Sequence, residues 1–303
     1  MAAVTSGRQS GGMGAAAGIL GWFGTTLRLM ARNRVGFAGF LVVVAMVLIS
    51  FVGPLFVELD ETAHVEQIYA APSRQHLLGT DSEGRDVLMQ IIHGGRDILT
   101  VGFLAATMTT AIALVLGSIS AYVGGRIDNV LTWLADVVLT IPQLPLLAVL
   151  AGILQFKSQA AMAVIIGLLA WPTLMRAIRA QVLSLKERDY VESARALDLG
   201  TSHILFKEIA PNMVGYIAIN FTLALTAAMY ASVGLIFLGL VPLSGNNWGV
   251  MINLAWVRGA IFFKDSIWYI MAPILVITIF QLALVAMTRS LSEVFDPRLR
   301  RGG

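Results

Sequence analysis

Residues 36–57 read GFAGFLVVVAMVLISFVGPLFV, a continuous apolar stretch without a charged side chain. A helix needs about 20 predominantly apolar residues to cross the hydrocarbon core of a bilayer, and this stretch is long enough. Five further apolar runs follow, at residues 100–123, 130–154, 160–178, 216–240 and 267–291. The pattern predicts an all-α polytopic membrane protein with six transmembrane helices.

The composition of the chain argues against a soluble domain. Hydrophobic residues make up 57% and charged residues 13%, with a mean hydropathy of +0.79, whereas a soluble domain carries about 25% charged residues. A transmembrane β-barrel would show alternating segments of about 10 residues, and the runs here are continuous. The chain has no cysteine, which excludes disulfides, thiolate metal sites and cysteine nucleophiles.

The basic residues predict the topology, because Lys and Arg near span ends are retained in the cytoplasm. An even number of spans puts both termini on one side, and 15 of the 21 Lys and Arg residues fall on that side. We therefore expect a cytoplasmic tail (1–35), a six-helix permease domain (36–291) and a second cytoplasmic tail (292–303). Within the domain, residues 58–98 form an external loop and residues 179–215 a cytoplasmic segment. This distribution explains the pI near 9.4 without a nucleic-acid partner.

The third run contains Pro142 and Pro145 in its middle and Asp136 as its one deeply placed acid. Proline removes backbone hydrogen bonds and kinks a helix. An intramembrane carboxylate commonly marks a pathway or a polar partner. Alternatively, Asp136 lies near the cytoplasmic end, within reach of Arg126 or water, and only orients helices.

The cytoplasmic segment is amphipathic and carries both signs of charge. It predicts a helix, a break at Gly200 and a second helix, with Pro211 and Gly215 punctuating the chain before the next span. The small residues Ser193, Ala194 and Ala196 suit insertion into a groove of a partner. The alternative is a solvated connector with incidental charge pairs.

Parts of this segment resemble the cytoplasmic EAA loop of ABC importer permeases: Glu192-Ser193-Ala194, then Gly200, then Ile209-Ala210-Pro211. The resemblance implies that the loop forms coupling helices which dock on ATPase subunits. Asp198 stands at the usual glycine position, which departs from the family pattern. The residues implied in ATPase coupling are Glu192, Ser193, Ala194, Asp198, Gly200 and Pro211.

A second resemblance lies in the external loop, where residues 76–86 read HLLGTDSEGRD and are similar to the signature of peptide/nickel-type permeases. Further similar motifs are Arg32-Asn33-Arg34, Gly124-Gly125 with Asp128, Phe237-Leu238-Gly239-Leu240, Trp248-Gly249 and Asp296-Pro297-Arg298-Leu299-Arg300. The signature residues are His76, Gly79, Thr80, Asp81, Gly84, Arg85 and Asp86. Their side chains offer mutual hydrogen-bonding partners around two glycines. The loop is then a brace on the helix bundle or a contact surface for a solute-delivering partner.

Candidates for the solute path recur every four residues on the fifth span, at Thr222, Thr226 and Tyr230. This spacing places them on one face of a helix. They line a polar cavity, or they serve helix packing by bonding back to their own backbone, as Ser and Thr often do in membrane helices.

An enzymatic site is not indicated. No phosphate-binding loop of the G-x-x-x-x-G-K-[ST] kind is present, and the four dispersed histidines give a metal site poor support. The resemblance implies a type I importer half in a prokaryotic inner or plasma membrane, with no cofactor of its own. Its implied partners are a second homologous permease, two ABC ATPase subunits that hold ATP and Mg, an extracytoplasmic solute-binding protein and the lipid bilayer.

Three questions about function stay open at this stage. We expect di- or oligopeptides as cargo, with oligosaccharides or nickel chelates as alternatives; residues 246–263 faintly resemble those of oligosaccharide-carrying members. An ion-coupled secondary transporter remains an alternative, with the prolines and Asp136 of the third run as its hint. A purely structural membrane protein is the third possibility, but it would not need a long internal docking segment.

Overall fold

The structure is a computed structural model that describes residue 31 and residues 33–155, 158–241 and 246–295. Within this part of the chain all regular elements are helices, with one isolated β-bridge between Thr80 and Asp86. The main helices are α1 (Arg34–Val52), α2 (Val87–Val123), α3 (Gly125–Thr140), α4 (Gln143–Leu154), α5 (Gln159–Leu185), α6 (Asp189–Ala196), α7 (Val214–Phe237), α8 (Trp248–Val257) and α9 (Ile267–Phe295). The predicted tails and Lys157 lie largely or wholly outside the described residues, as do Arg32 and residues 296–300.

Among the residues that the structure describes, five helical stretches are long and apolar enough to cross a membrane: 34–55, 87–123, 159–185, 201–237 and 264–291. A sixth span is formed if α3 and α4 count as one broken helix, bent by 80° at residues 141–142. The all-α polytopic fold class is therefore confirmed. The expected kink at Pro142 is a complete break, and Pro145 lies in the first turn of α4, where proline is tolerated.

Capping side chains explain where several helices begin. Asn33, Asp86, Ser158 and Asn247 each accept a hydrogen bond from a backbone N–H of the first turn that follows, at 2.9–3.2 Å. Such caps satisfy amide groups that have no partner within the helix. Asp86 starts α2 at Val87, so the loop expected at 58–98 is helical from Val87 onward.

Two other stretches between the predicted spans are also helical in part. Residues 241–266, between the fifth and sixth apolar runs, contain α8, whose Trp248, Met251 and Ala255 are buried. Pro211 and Gly215 do not interrupt the helical structure that leads into α7, and Gly215 lies within the first turn of α7. A π-helical stretch (Ile204–Ile209) and a 3₁₀ turn (Ala210–Met213) carry the helix past Pro211, because a wider turn accommodates the missing N–H of proline.

The core of the bundle is built on α2 and α5, which pack closely along their length. A Cβ on Gly117 of α2 would lie 2.7 Å from the carbonyl oxygen of Met175 on α5, so only glycine allows this approach. α7 packs on α2, and α1 packs on α9. The α3–α4 pair is much less covered, with Ala135, Leu147 and Ala151 as its buried residues. One wall of the bundle is thus incomplete.

Candidate functional site

The connecting segment, residues 189–213, joins α5 to α7 and consists of α6, a link at 197–200 and the helical lead-in to α7. Val191 and Ala194 are buried, and they pack in one cluster with Ile204, Ile209 and residues of α5. Ala194 is 4% exposed, so the prediction that its side chain inserts into a partner's groove is wrong. The small residues on the open face of α6 are Ser193 and Ala196.

The turn after α6 has a left-handed residue, Asp198, with φ of +54°. The N–H of Leu199 donates to the carbonyl of Ala194 at 3.1 Å, and the N–H of Asp198 donates to Arg195 at 2.9 Å. This is a Schellman motif, in which glycine is the usual residue and Asp is one of the few tolerated substitutes. The position thus keeps the turn geometry that glycine would give. Gly200 has φ of −61° and open space around it, so the turn does not need its glycine.

Two large apolar side chains project from the open surface of the connecting segment. Leu197 is 73% exposed and Phe206 is 49% exposed, whereas Val191 and Ile204 hold the other side in the core. Exposed acids, among them Glu192 and Asp198, lie nearby in the sequence. Sequence reasoning missed these two residues. The available signal was that both are apolar but lie outside the set of apolar positions that form the buried face.

The connecting segment is tied to the spans on its inner side. The guanidinium carbon of Arg195 lies 5.3 Å from the centre of the Tyr122 ring at the end of α2, within the range of a cation–π contact. Tyr190 is partly buried, and burial raises the pKa of its phenol. Residues Trp171, Met175 and Ile178 of α5 share the cluster that holds Val191. The inner side of the segment is thus packed against α2 and α5.

Two ion pairs link α3 to α5. Arg179 donates to Asp128 through Nε at 2.6 Å and Nη2 at 2.5 Å, and Ser120 donates to the same carboxylate. This bidentate geometry is the strong form of an Arg–carboxylate pair. Asp136 pairs with Arg176 rather than with Arg126, and both side chains are about half exposed. The carboxylate expected to orient helices therefore joins α3 to α5 two turns from the first pair.

The part of the expected external loop that precedes α2, residues 58–86, is called the signature loop, and it brings its charged side chains together. His76 Nδ1 lies 2.8 Å from Asp86 Oδ2, and the other ring nitrogen lies 3.1 Å from Gln67 Oε1. Asp81 is fully buried; its carboxylate accepts bonds from the backbone N–H and guanidinium of Arg85 and from the side-chain amide of Gln90. Buried charges persist when they are paired and hydrogen-bonded in this way. The expected mutual hydrogen bonding is therefore present.

The two glycines of the loop are required by its backbone. Gly79 and Gly84 have φ of +75° and +79°, and a Cβ on Gly84 would lie 2.1 Å from the carbonyl oxygen of His64. Thr80 donates a hydrogen bond to the carbonyl of Gln67. Near the start of the loop, bonds from the Thr62 side chain and from His64 lower the pKa of Asp60 to about 2. The loop is thus internally ordered.

The face of α7 expected to line a path is divided by the structure. Thr222 is buried and shares a 2.6 Å hydrogen bond with Thr288 of α9, and Thr226 donates to Gln281 of α9 at 2.6 Å. Tyr230 is 54% exposed. The two threonines therefore pack α7 against α9, which favours the helix-packing alternative for them.

No group of three or more His, Asp or Glu side chains is placed to hold a metal ion within the part of the chain that the structure describes. The polar side chains described above serve ion pairs, helix caps, bonds within the signature loop or bonds between helices. The residues of chemical interest are thus the connecting segment, the signature loop and the α3–α5 ion pairs.

Comparison with known proteins gives a consistent result. Residues 113–301 match the family described as "binding-protein-dependent transport system inner membrane component". The oligopeptide transport system permease protein of Bacillus subtilis (strain 168) is 30% identical over 92% of this chain and 90% of that protein. The dipeptide transport system permease protein of Haemophilus influenzae is 31% identical over 89% of this chain and 92% of its own length. A dipeptide transport system permease protein of Bacillus subtilis is 29% identical over 90% of this chain and 85% of its own length.

Proposed function

The chain belongs to the family of binding-protein-dependent transport system inner membrane components, and on that premise we propose that it imports di- and oligopeptides. It is a multi-pass permease subunit of an ATP-driven importer, and the ATPase is a separate subunit. The choice of cargo rests on the similarity, along about nine-tenths of the chain, to one oligopeptide permease and one dipeptide permease. It favours peptides over oligosaccharides and nickel chelates.

The proposed assembly contains this chain, a second homologous permease, two ATPases that bind ATP and Mg, and an external solute-binding protein. The exposed wall formed by α3 and α4 is the observation that supports a second permease in this assembly. Apolar side chains such as Val130, Trp133 and Ile153 are 60–72% exposed there, beside the half-exposed Asp136–Arg176 pair. Because charges within a membrane face protein or water rather than lipid, this wall is proposed to face the partner and the solute path. The distribution of basic residues supports a topology with both termini and the connecting segment in the cytoplasm and the signature loop outside.

The connecting segment is the proposed contact with the ATPase. Leu197 supplies an apolar anchor, and Phe206 is a second exposed apolar side chain on the helical lead-in to α7. The exposed small or polar residues before and after Leu197 in the sequence are Glu192, Ser193, Asp198 and Gly200. Apolar anchors surrounded by polar residues are the usual energetic centre of a protein interface. Ala194 and Pro211 act from behind this surface, by packing α6 and by setting the path into α7.

Coupling is proposed to follow from the rigidity of this surface. Closure of the ATPases around ATP displaces the connecting segment, and its buried side carries α5 and the end of α2 with it. Its helical lead-in is continuous with α7. The assembly then alternates between inward-facing and outward-facing states, in a shift of populations driven by contacts that differ between the two states.

The experiment that tests this function is transport by the complete complex in proteoliposomes. With ATP supplied to the ATPases and the solute-binding protein on the opposite side, we expect saturable uptake of labelled tripeptides. A maltodextrin and a nickel chelate, offered in parallel, should not accumulate. Uptake that needs an ion gradient and no ATP would support the secondary transporter, and accumulation of the sugar or the chelate alone would overturn the peptide assignment.

A further inference from the structure

Four large apolar side chains at the end of α8 and in the turn that follows it are open on the surface. Trp256, Val257, Ile261 and Phe262 are 63–86% exposed, and we call them the turn patch. They follow the buried part of α8, where Trp248 donates a hydrogen bond to the carbonyl of Ile91 at 2.9 Å. Contiguous exposed apolar surface of this kind marks an interaction site.

The backbone that carries the turn patch is held firmly from its inner side. The phenol of Tyr69 donates to the carbonyl of Arg258 at 3.4 Å, and its ring lies 4.8 Å from the ring of Phe263. Arg258 also pairs with Glu83 at 3.3 Å. Ser266 donates to the carbonyls of Ala260 and Phe263. The patch is therefore presented in a fixed arrangement by the signature loop beneath it.

The backbone amide groups of this turn are mostly paired within it. The N–H groups of Arg258, Gly259, Phe262 and Phe263 donate to carbonyls of residues 254, 256, 259 and 260 at 2.9–3.1 Å. Backbone groups must be satisfied internally where water is scarce. The turn can therefore lie at a membrane boundary without leaving these amide groups unpaired.

The position of the turn along the chain indicates what surrounds it. The sixth apolar span begins at Lys264, so residues 256–263 lie by chain connectivity at the boundary between hydrocarbon and water. Trp and Phe rings with Lys and Arg neighbours are the composition that this boundary selects. Arg258 lies between the two rings along the chain and pairs with Glu83, and the exposed Lys264 follows them as a cation for lipid phosphates.

We propose that the turn patch inserts into the lipid headgroup region, and that this contact fixes α8 and the start of α9 at the membrane surface. The occupant is lipid rather than a protein partner, because the patch leads directly into a span and carries the aromatic and basic side chains that the membrane boundary selects. This proposal goes beyond the transport function and does not depend on the cargo.

The absence of native cysteine in this chain makes the test direct. A single cysteine at Phe262→Cys carries an environment-sensitive fluorophore in the complete complex, whose partners are made cysteine-free, reconstituted in lipid vesicles. Thr62→Cys, an exposed position on the signature-loop side, is the matched control. We expect bromine-labelled lipids to quench the label at 262 and not at 62, and aqueous iodide to do the reverse.

Two results would overturn the proposal. Quenching of the 262 label by iodide as strong as at 62 would show that the patch faces water. Protection from both quenchers would show that a protein covers it. Val257→Cys serves as a second reporter if the first variant does not assemble, since Val257 is also more than half exposed.

Discussion

Truncation of Leu197 to alanine tests the proposed ATPase contact with little disturbance of this chain's own fold. Leu197 is 73% exposed, and it is the C-cap residue of α6 through its backbone N–H rather than its side chain. Its N–H donates to Ser193 at 3.1 Å, a bond that alanine retains. The substitution therefore removes apolar surface that is available to a partner and almost none that the chain uses itself.

The size of the effect follows from the exposed area. Full burial of a leucine side chain contributes about 1.5–3 kcal/mol, and alanine keeps part of that surface. With about three-quarters of the side chain available to the partner, we expect a loss of roughly 1–2 kcal/mol, which corresponds to about 5- to 30-fold weaker ATPase binding. The ATP hydrolysis that responds to loaded binding protein should fall with it.

The assay is titration of the purified ATPase onto permease complexes in nanodiscs, followed by stimulated hydrolysis on the same samples. Val65→Ala is the matched control, because Val65 is 77% exposed but lies in the signature loop. The control should match the unmodified complex. Unchanged affinity and stimulation in Leu197→Ala would remove this residue from the contact and refute the reasoning.

Three further predictions concern turn geometry, ion pairing and topology. Asp198→Gly should leave stability and transport intact, whereas Asp198→Val should destabilise the left-handed turn by about 1–2 kcal/mol, measured by thermal unfolding of the complex; equal melting of both would contradict the turn assignment. Asp136→Asn should retain peptide uptake, because an amide oxygen still accepts from Arg176; loss of uptake with the complex intact would favour ion coupling. A cysteine at Ser82 should react with an impermeant thiol reagent only from outside the cell and one at Ser202 only from the cytoplasm, and the reverse pattern would invert the topology.

The spans were predictable from sequence because crossing a bilayer demands length and apolarity, which single-sequence hydropathy reports directly. Their ends were less predictable. α2 begins at Val87, before its apolar run, because Asp86 caps it and the polar Gln90 is satisfied by Asp81 in the tertiary structure. Local composition alone does not contain that long-range bond.

The connecting segment shows a different limit. Its helix–break–helix pattern was readable from charge and glycine, but the buried face of an eight-residue helix depends on what it packs against. Ala194 faces this chain's own Ile204 and Ile209, so its small size serves internal packing. Likewise, the choice of Arg176 over Arg126 as partner of Asp136 is decided by the approach of α5 to α3, which spacing along the chain does not specify.

The break between α3 and α4 has a consequence for how the fold is completed. Ile141, Pro142 and Leu144 are exposed where the helix bends by 80°, and irregular backbone does not persist against lipid within the hydrocarbon layer. In the proposed assembly the second permease covers this bend, so the surface of the bent span is completed by the association of two chains rather than within one chain.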